Sequence, residues 1–290
     1  MSRKIKYYFT DIFGSEKYSG NQLATFLNCD FLSDKEMQQI AREINFSETT
    51  FILSDKMINE GFDVRIFTPG AEVDFAGHPT LGTAYIIHKY ILTELPDTVI
   101  LNLKVGPIKV TLQNGILWME QIEPQFGRTL DKKCIASMLN ILVGDIDDKF
   151  PIQEVSTGLP FTIIPLRDLK ALKKCRVNET VYEKFCETSE ARAILVFSPE
   201  GYENNQDLSV RVFVDYLGIP EDPATGSGNG CLAGYLVKHA YFGKNDIDIV
   251  TGQGYEIGRP SQIYLKAAGV GNIDVNVGGK VIKVAEGNWD

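Results

Sequence analysis

The sequence Val64-Arg65-Ile66-Phe67 recurs in the second half of the chain as Val210-Arg211-Val212-Phe213. In both places a loop follows, and then a glycine-containing stretch: Ala76-Gly77-His78-Pro79-Thr80-Leu81-Gly82 in the first half and Thr225-Gly226-Ser227-Gly228-Asn229-Gly230 in the second. Each stretch leads into an apolar segment of helical length. A repeat at half the length of the chain indicates a duplicated fold with two similar domains.

The segments around the repeat are mostly short, rich in β-branched and aromatic residues, and bounded by Gly, Pro, Asp or Asn, which is typical of β-strands. One amphipathic helix interrupts them. Ser33 and Glu36 form a capping-box pattern, and apolar residues follow at helical spacing as far as Ile44. Many strands with few helices predict an α+β fold, in which mostly antiparallel sheets wrap around isolated helices.

The two halves meet near Pro124 and Gly127, which interrupt the strand pattern. We therefore predict a first domain at 1–124, completed by a C-terminal strand near 280–290, and a second domain at 125–279.

Composition excludes several classes of function. The net charge of −9 disfavours binding to nucleic acid or to an anionic membrane. The five cysteines have no Cys-x-x-Cys spacing and the three histidines are scattered, so we predict no metal site and a reducing compartment. The N-terminal segment predicts no signal peptide, and no apolar run approaches the roughly 20 residues that span a bilayer. We expect a soluble, cytoplasmic protein.

Both helix starts suit an acidic small molecule. The first turn of a helix presents backbone N–H groups that have no partner within the helix, and glycine lets a ligand approach them closely. We therefore predict that Gly77 and Gly226 take part in binding a substrate carboxylate, although Gly and Pro at these positions also fit residues that only start a helix.

Four side chains are candidates for acid, base or binding roles. Glu48 precedes a strand between apolar neighbours, although it also fits a solvated loop. His78 lies at the first helix start, where burial and the helix dipole favour a neutral ring, although a lone histidine is often only packed. Asp222 could equally be a turn residue before proline or the partner of Arg211 or another cation, and Ser227 could be a helix N-cap.

Several short blocks together resemble the PhzF family, the phenazine-biosynthesis isomerase-like proteins of the diaminopimelate-epimerase superfamily. The blocks occur in family order across nearly the whole chain. They are Asp11-Ile12-Phe13 with Gly20-Asn21, Ser47-Glu48-Thr49-Thr50-Phe51, Phe67-Thr68-Pro69 with Glu72-Val73-Asp74-Phe75-Ala76-Gly77-His78-Pro79-Thr80, and Glu221-Asp222-Pro223-Ala224-Thr225-Gly226-Ser227.

The resemblance implies two diaminopimelate-epimerase-like domains with the active site in the cleft between them, a homodimer, and no cofactor. It implies that Glu48 moves the proton and that His78 and Asp222 assist catalysis. It also implies a substrate-binding set, which is Asn21, Gly77, Thr225, Gly226 and Ser227. Related racemases use a thiol immediately before each glycine, where this chain has Ala76 and Thr225. Gln22, Thr25 and Gly228 depart from common family residues, which leaves the substrate open.

The leading hypothesis is a cofactor-independent isomerase that moves a proton between carbons of a small carboxylic acid. One alternative is a racemase or epimerase of an amino or hydroxy acid, which needs a base on each face of the stereocentre. Another is a non-catalytic small-molecule-binding protein. A nicotinamide oxidoreductase is disfavoured, because the glycine run from Gly228 does not follow a parallel strand.

Overall fold

The computed structural model describes residues 4–94 and 96–290. Residues 1–3, in the segment where no signal peptide is predicted, lie outside the described residues, as does residue 95. The chain divides into two compact units, Met1–Met119 with Gly278–Asp290 and Glu120–Val277. The predicted domain ranges differ from these units by a few residues at each boundary.

The first unit consists of strands, two helices and a π-helical turn. Its strands are β1 (Ile5–Ile12), β2 (Asn21–Leu27), β3 (Glu48–Ile52), β4 (Phe62–Phe67), β5 (Glu72–Val73), β6 (Thr98–Leu103), β7 (Gly106–Gln113), β8 (Ile116–Glu120, which ends at the boundary) and the C-terminal β18 (Val281–Trp289). Its helices are α1 (Asp34–Ile44) and α2 (Gly77–Ile86), and α2 continues into the π-helical turn Ile87–Ile91.

The second unit has the same kinds of elements. Its strands are β9 (Gln125–Thr129), β10 (Gln153–Ser156), β11 (Pro160–Pro165), β12 (Ala193–Ser198), β13 (Leu208–Val214), β14 (Ile219–Asp222), β15 (Asp246–Gln253), β16 (Ser261–Ala268) and β17 (Asp274–Gly279, which ends at the boundary). Its helices are α3 (Lys132–Met138), α4 (Leu169–Lys174), α5 (Glu179–Thr188) and α6 (Gly226–Lys238), with 3-10 turns at Val143–Asp145, Asp215–Leu217 and Tyr255–Ile257.

The two units share one strand order. In the first, β1 pairs antiparallel with β18 and β2, β2 pairs parallel with β3, and β4 lies antiparallel to β3 and β5 and parallel to β6, which pairs antiparallel with β7. In the second, β10, β11, β12, β13, β14, β15 and β16 repeat the pattern from β1 to β7, with β9 in the place of β18. The predicted duplication is therefore confirmed.

Each sheet packs around one central helix. Every residue of α2 except Tyr85 is buried, as are all residues of α6 except Lys238. Helix α2 packs on β1, β2, β3, β6 and β7, and α6 packs on β10, β11, β15 and β16. A helix that is apolar on every side has to be enclosed in this way. The predicted fold class, α+β with two similar units of mostly antiparallel sheet around a helix, is confirmed.

A second apolar layer covers part of each sheet. Helix α1 buries Met37, Ile40 and Ala41 against Phe26 and Phe51. Its N-terminus has the predicted capping box, since Ser33 Oγ accepts from the Glu36 amide and the Glu36 carboxylate accepts from the Ser33 amide. In the second unit, α3, α4 and α5 form the corresponding layer. Among the described residues, no helix is both long enough and apolar enough to cross a membrane.

Candidate active site

A tight loop positions Asn21 at the start of β2. The carboxylate of Asp11 accepts a hydrogen bond from the Tyr18 amide at 2.7 Å. Gly20 then turns the chain with φ of 71°, and a Cβ at this position would lie 2.3 Å from the Ile12 carbonyl oxygen. Only glycine fits there, and the next residue, Asn21, is 2% exposed. The loop therefore delivers a buried amide side chain to the N-terminal end of β2, a strand that pairs with β1 and β3.

Glu48 and His78 lie side by side in the first unit. Glu48 is the first residue of β3, His78 is the second residue of α2, and the two elements pack together. Glu48 Oε2 is 3.3 Å from His78 Nε2, and the two side chains are 19% and 7% exposed. Charge-assisted hydrogen bonds of this kind are shorter, about 2.7–2.9 Å. The two groups are therefore neighbours without forming a tight ion pair.

The His78 ring is neutral at physiological pH. Burial lowers its pKa to about 3, and a hydrogen bond to the Gln22 backbone opposes that shift only in part. Nε2 has no hydrogen-bond partner among the described residues, so the bond to Gln22 uses Nδ1. A nitrogen that donates to a carbonyl carries the proton. The ring therefore presents the lone pair of Nε2 to the Glu48 carboxyl.

The two central helices begin alike. Helix α2 starts at Gly77 after the N-cap Ala76, and α6 starts at Gly226 after the N-cap Thr225, so His78 and Ser227 are both second residues of their helices. The interpretation of Ser227 as an N-cap is therefore wrong. The prediction that the glycine-containing stretch comes before the helix is also wrong, because residues 226–230 form the first turns of α6.

The glycines inside α6 allow close packing. A Cβ at Gly228 would lie 3.0 Å from the Phe161 ring, and a Cβ at Gly234 would lie 2.6 Å from the Pro124 ring. These positions sit in the interior of the helix, where glycine normally lowers stability. Here it lets the helix lie directly on its neighbours.

Asp222 and Thr225 are joined in the second unit. The Thr225 hydroxyl donates to Asp222 Oδ2, and it also accepts from Gln253 Nε2 at 3.0 Å. Gln253 ends β15 and is fully buried. Thr225 is thus an N-cap residue whose hydroxyl is directed to a carboxylate and not to the amides of α6. Gly226 and Ser227 follow in the first turn, and both are buried.

The repeated arginine is part of a duplicated ion pair. Arg65 binds the Glu72 carboxylate with two hydrogen bonds of 2.8 and 2.9 Å, and Arg211 binds Glu221 with two of 2.9 and 2.8 Å. The first pair joins β4 to β5, and the second joins β13 to β14. The carboxylate that accepts the two hydrogen bonds of Arg211 is therefore Glu221, the neighbour of Asp222.

The positions of the racemase thiols are occupied by other residues. Ala76 and Thr225 immediately precede the two helices, and neither carries a thiol. Cys231 lies further along α6, is fully buried, and contacts the Thr157 hydroxyl at 3.5 Å. Burial raises the pKa of its thiol to about 11, which disfavours the reactive thiolate. Among the described residues, no three metal-ligating side chains cluster.

The first unit thus brings Glu48 and His78 together and places Asn21 beside Gln22, the backbone partner of His78. The second brings Asp222 and Thr225 together at the start of α6. Sequence reasoning missed Gln253 and the contact of the Gln22 backbone with His78. Gln22 stood out only as a departure from common family residues, because a backbone contact leaves no signal in the residue type. Gln253 lies outside every motif.

The chain is similar to known proteins over nearly its whole length. The sequence profile of the PhzC-PhzF family, described as phenazine biosynthesis-like protein, matches residues 10–287. An uncharacterized isomerase of Clostridium acetobutylicum is 33% identical, covering 98% of this chain and 97% of the relative. The trans-2,3-dihydro-3-hydroxyanthranilate isomerase of Pseudomonas aeruginosa is 34% identical, covering 97% and 98%. A crystal structure of a PhzF-family phenazine biosynthesis protein from Bacillus anthracis superimposes with a TM-score of 0.91, at 26% identity and full coverage of both chains.

Proposed function

Because the chain belongs to the PhzC-PhzF family, we propose that it is an isomerase that moves a proton between carbons of a small carboxylic acid, with Glu48 as general acid and base. The predicted family and the predicted enzyme class, an isomerase, are confirmed by the family profile and by the names of its relatives. The proton-transfer mechanism, the substrate class and the roles of individual residues are our proposal.

The observation that carries the proposal is the placement of Glu48 Oε2 3.3 Å from Nε2 of His78, a ring whose pKa is lowered to about 3 by burial. A cationic ring would hold Glu48 in an ion pair and oppose its uptake of a proton. The neutral ring does not, and Nε2 accepts a hydrogen bond once Glu48 is protonated. Glu48 is thereby suited to exist in both the ionised and the protonated form during one reaction.

The proposed reaction needs no net change in protons. Glu48 removes a proton from a carbon beside an unsaturated bond, and the electron pair of the broken C–H bond spreads over the conjugated system. The protonated Glu48 then returns the proton to a different carbon of that system. The first-turn amides of α2, beginning at Gly77, suit a carboxylate or the developing negative charge. Asn21 is proposed to bind the same substrate.

We assign the second unit's candidates to the same reaction. Asp222 is proposed to assist proton transfer, and Ser227 and Gly226 to bind a polar group of the substrate through the start of α6. The homodimer implied by the resemblance stays a prediction, which sedimentation equilibrium tests.

The test is uptake of deuterium from D2O into carbon positions of a panel of unsaturated and amino carboxylic acids, followed by mass spectrometry. The panel includes trans-2,3-dihydro-3-hydroxyanthranilate, which the name of the Pseudomonas aeruginosa relative specifies. Wild type is compared with Glu48→Gln. The matched control is Glu43→Gln, which makes the same change on the exposed face of α1.

We expect uptake in wild type and in Glu43→Gln, and none in Glu48→Gln. Uptake that persists in folded Glu48→Gln contradicts the role of Glu48. Compounds that raise the melting temperature of the protein without taking up deuterium contradict the enzyme hypothesis and favour a binding protein. Exchange at a single stereocentre with inversion favours the racemase alternative.

A further inference from the structure

A buried hydrogen-bond network holds the loop between Asp222 and α6. The Gln253 amide uses all of its hydrogen-bonding capacity there. Its Nε2 donates to the Asp222 carbonyl at 2.8 Å and to Thr225 Oγ1 at 3.0 Å, and its Oε1 accepts from the Thr225 amide at 3.2 Å and from Asn229 Nδ2 at 2.9 Å. Gln253 and Asn229 are both fully buried. One side chain thus contacts both ends of the loop.

The neighbouring residues complete the support of this loop. Asn229 Nδ2 donates to the Thr225 carbonyl at 3.0 Å, and Ser261 Oγ donates to the Pro223 carbonyl at 3.0 Å. Gly254, directly after Gln253, has φ of 79°, and a Cβ there would lie 2.5 Å from the Pro223 carbonyl oxygen. The loop is therefore fixed at its first, second and last residues by groups from β15, α6 and β16.

The directions of the hydrogen bonds in this network are determined. The Gln253 oxygen faces a backbone N–H and its nitrogen faces a backbone carbonyl, so the orientation of the amide is fixed. Its nitrogen can only donate, and Thr225 Oγ1 must therefore accept from it. The single proton of the Thr225 hydroxyl is therefore donated to Asp222 Oδ2, and the structure has this hydrogen bond.

This arrangement distinguishes the two oxygens of Asp222. Oδ2 accepts the Thr225 hydroxyl proton, which fixes this oxygen as a hydrogen-bond acceptor. The first unit lacks the arrangement, because Ala76 occupies the position of Thr225 and Val73 the position of Asp222, three residues earlier. The two starts of the central helices have thus diverged, and only one carries a hydroxyl that orients an acid.

We propose that Gln253 and Thr225 are positioning residues, which fix the orientation and the donor-acceptor pattern of the Asp222 carboxyl. This differs from the sequence prediction that Thr225 binds substrate. The inference rests on the proposed function only in so far as Asp222 takes part in catalysis.

The test compares Thr225→Val, which removes the hydroxyl at nearly constant volume, with Thr225→Ser, which keeps it. The matched control is Thr162→Val in β11. Thr162 is fully buried, and its hydroxyl donates to the Ala191 carbonyl at 2.9 Å, away from the loop. Gln253→Met also removes support from the Asp222 carboxyl. If Gln253→Met does not fold, Thr225→Val still tests the proposal.

We expect Thr225→Val to lower kcat about ten- to hundredfold with KM changed less than about threefold, because a hydrogen bond to a charged group that takes part in the reaction is lost. Thr225→Ser should stay within about threefold of wild type in kcat. Thr162→Val should lose a similar amount of thermal stability and keep its kcat. Equal kcat in Thr225→Val and Thr162→Val overturns the proposal, as does a Thr225→Ser variant as impaired as Thr225→Val.

A measurement without turnover separates this inference from the proposed function. The side-chain carboxyl carbon of Asp222 is assigned by NMR from its disappearance in Asp222→Asn. Its chemical shift should move in Thr225→Val and not in Thr162→Val or Thr225→Ser, whether or not any compound reacts. A shift unchanged in Thr225→Val overturns the positioning role even in an active enzyme.

Discussion

Replacing His78 should change how the stability of the protein depends on pH. Burial lowers the pKa of the His78 ring to about 3, whereas the same side chain in the unfolded chain titrates near its ordinary value of about 6.5. Between these values the unfolded state binds a proton that the folded state does not. The contribution of His78 to the free energy of unfolding is therefore constant above about pH 6.5, and it makes the protein progressively less stable as the pH falls toward 3.

The size of the loss of stability follows from the difference between the pKa of His78 in the unfolded chain and the pH of the measurement. A pH of 5 lies about 1.5 units below the pKa of the imidazole in the unfolded chain. At about 1.4 kcal/mol per unit, protonation then stabilises the unfolded state by about 2 kcal/mol. We expect the free energy of unfolding of wild type to fall between pH 8 and pH 5 by about 2 kcal/mol more than that of His78→Asn. Asparagine keeps a donor near the position of Nδ1 for the Gln22 carbonyl and has no group that titrates in this range.

Urea unfolding at a series of pH values measures this difference, and comparison with the variant cancels the contributions of other groups. If His78⁺ instead formed an ion pair with Glu48, wild type would lose no more stability than the variant on acidification. That outcome would refute the assignment of a neutral ring. Glu48→Gln provides a control, because a shift caused by burial persists without the carboxylate.

Three further changes test the packing of the fold by urea unfolding. Arg211→Met should destabilise by about 3–5 kcal/mol because it leaves Glu221 buried without its cation, and Arg211→Met matching wild type would contradict the importance of this pair. Gly234→Ala should cost about 1–3 kcal/mol, since its Cβ would lie 2.6 Å from the Pro124 ring, and an unchanged midpoint would show that the helix has room to move. Ser33→Ala should cost about 1 kcal/mol through loss of the capping box, and a loss near zero would mean that this helix end frays in wild type.

The features predicted correctly from sequence are those that depend on neighbouring residues. The capping box at Ser33 and Glu36 joins groups three residues apart, and the β-branched and aromatic residues that mark a strand lie within that strand. The duplicated fold was also predictable, because Arg65 and Arg211 recur with the same flanking residues. Such patterns are local, or are repeated locally, so one sequence is enough to reveal them.

The features that sequence reasoning missed connect residues far apart in the chain. Gln253 contacts Thr225 across 28 residues of sequence, and its position at the end of β15 belongs to no motif. The Gln22 backbone, in β2, contacts the ring of His78, in α2. The N-cap of α6 was misplaced because glycine disfavours helices, and the packing on Phe161 that allows Gly228 inside a helix is also a distant contact.

The duplicated arginine–glutamate pair has a consequence for the response of the two halves to ionic strength. Arg65 and Glu72 are 21% and 16% exposed, whereas Arg211 and Glu221 are 3% and 8% exposed. Dissolved ions screen exposed charges over about 8 Å at physiological salt and about 3 Å at 1 M, but they screen buried charges much less. Adding salt should therefore weaken the Arg65–Glu72 pair more than the Arg211–Glu221 pair, so that the two copies of one contact should differ in their sensitivity to salt within a single chain.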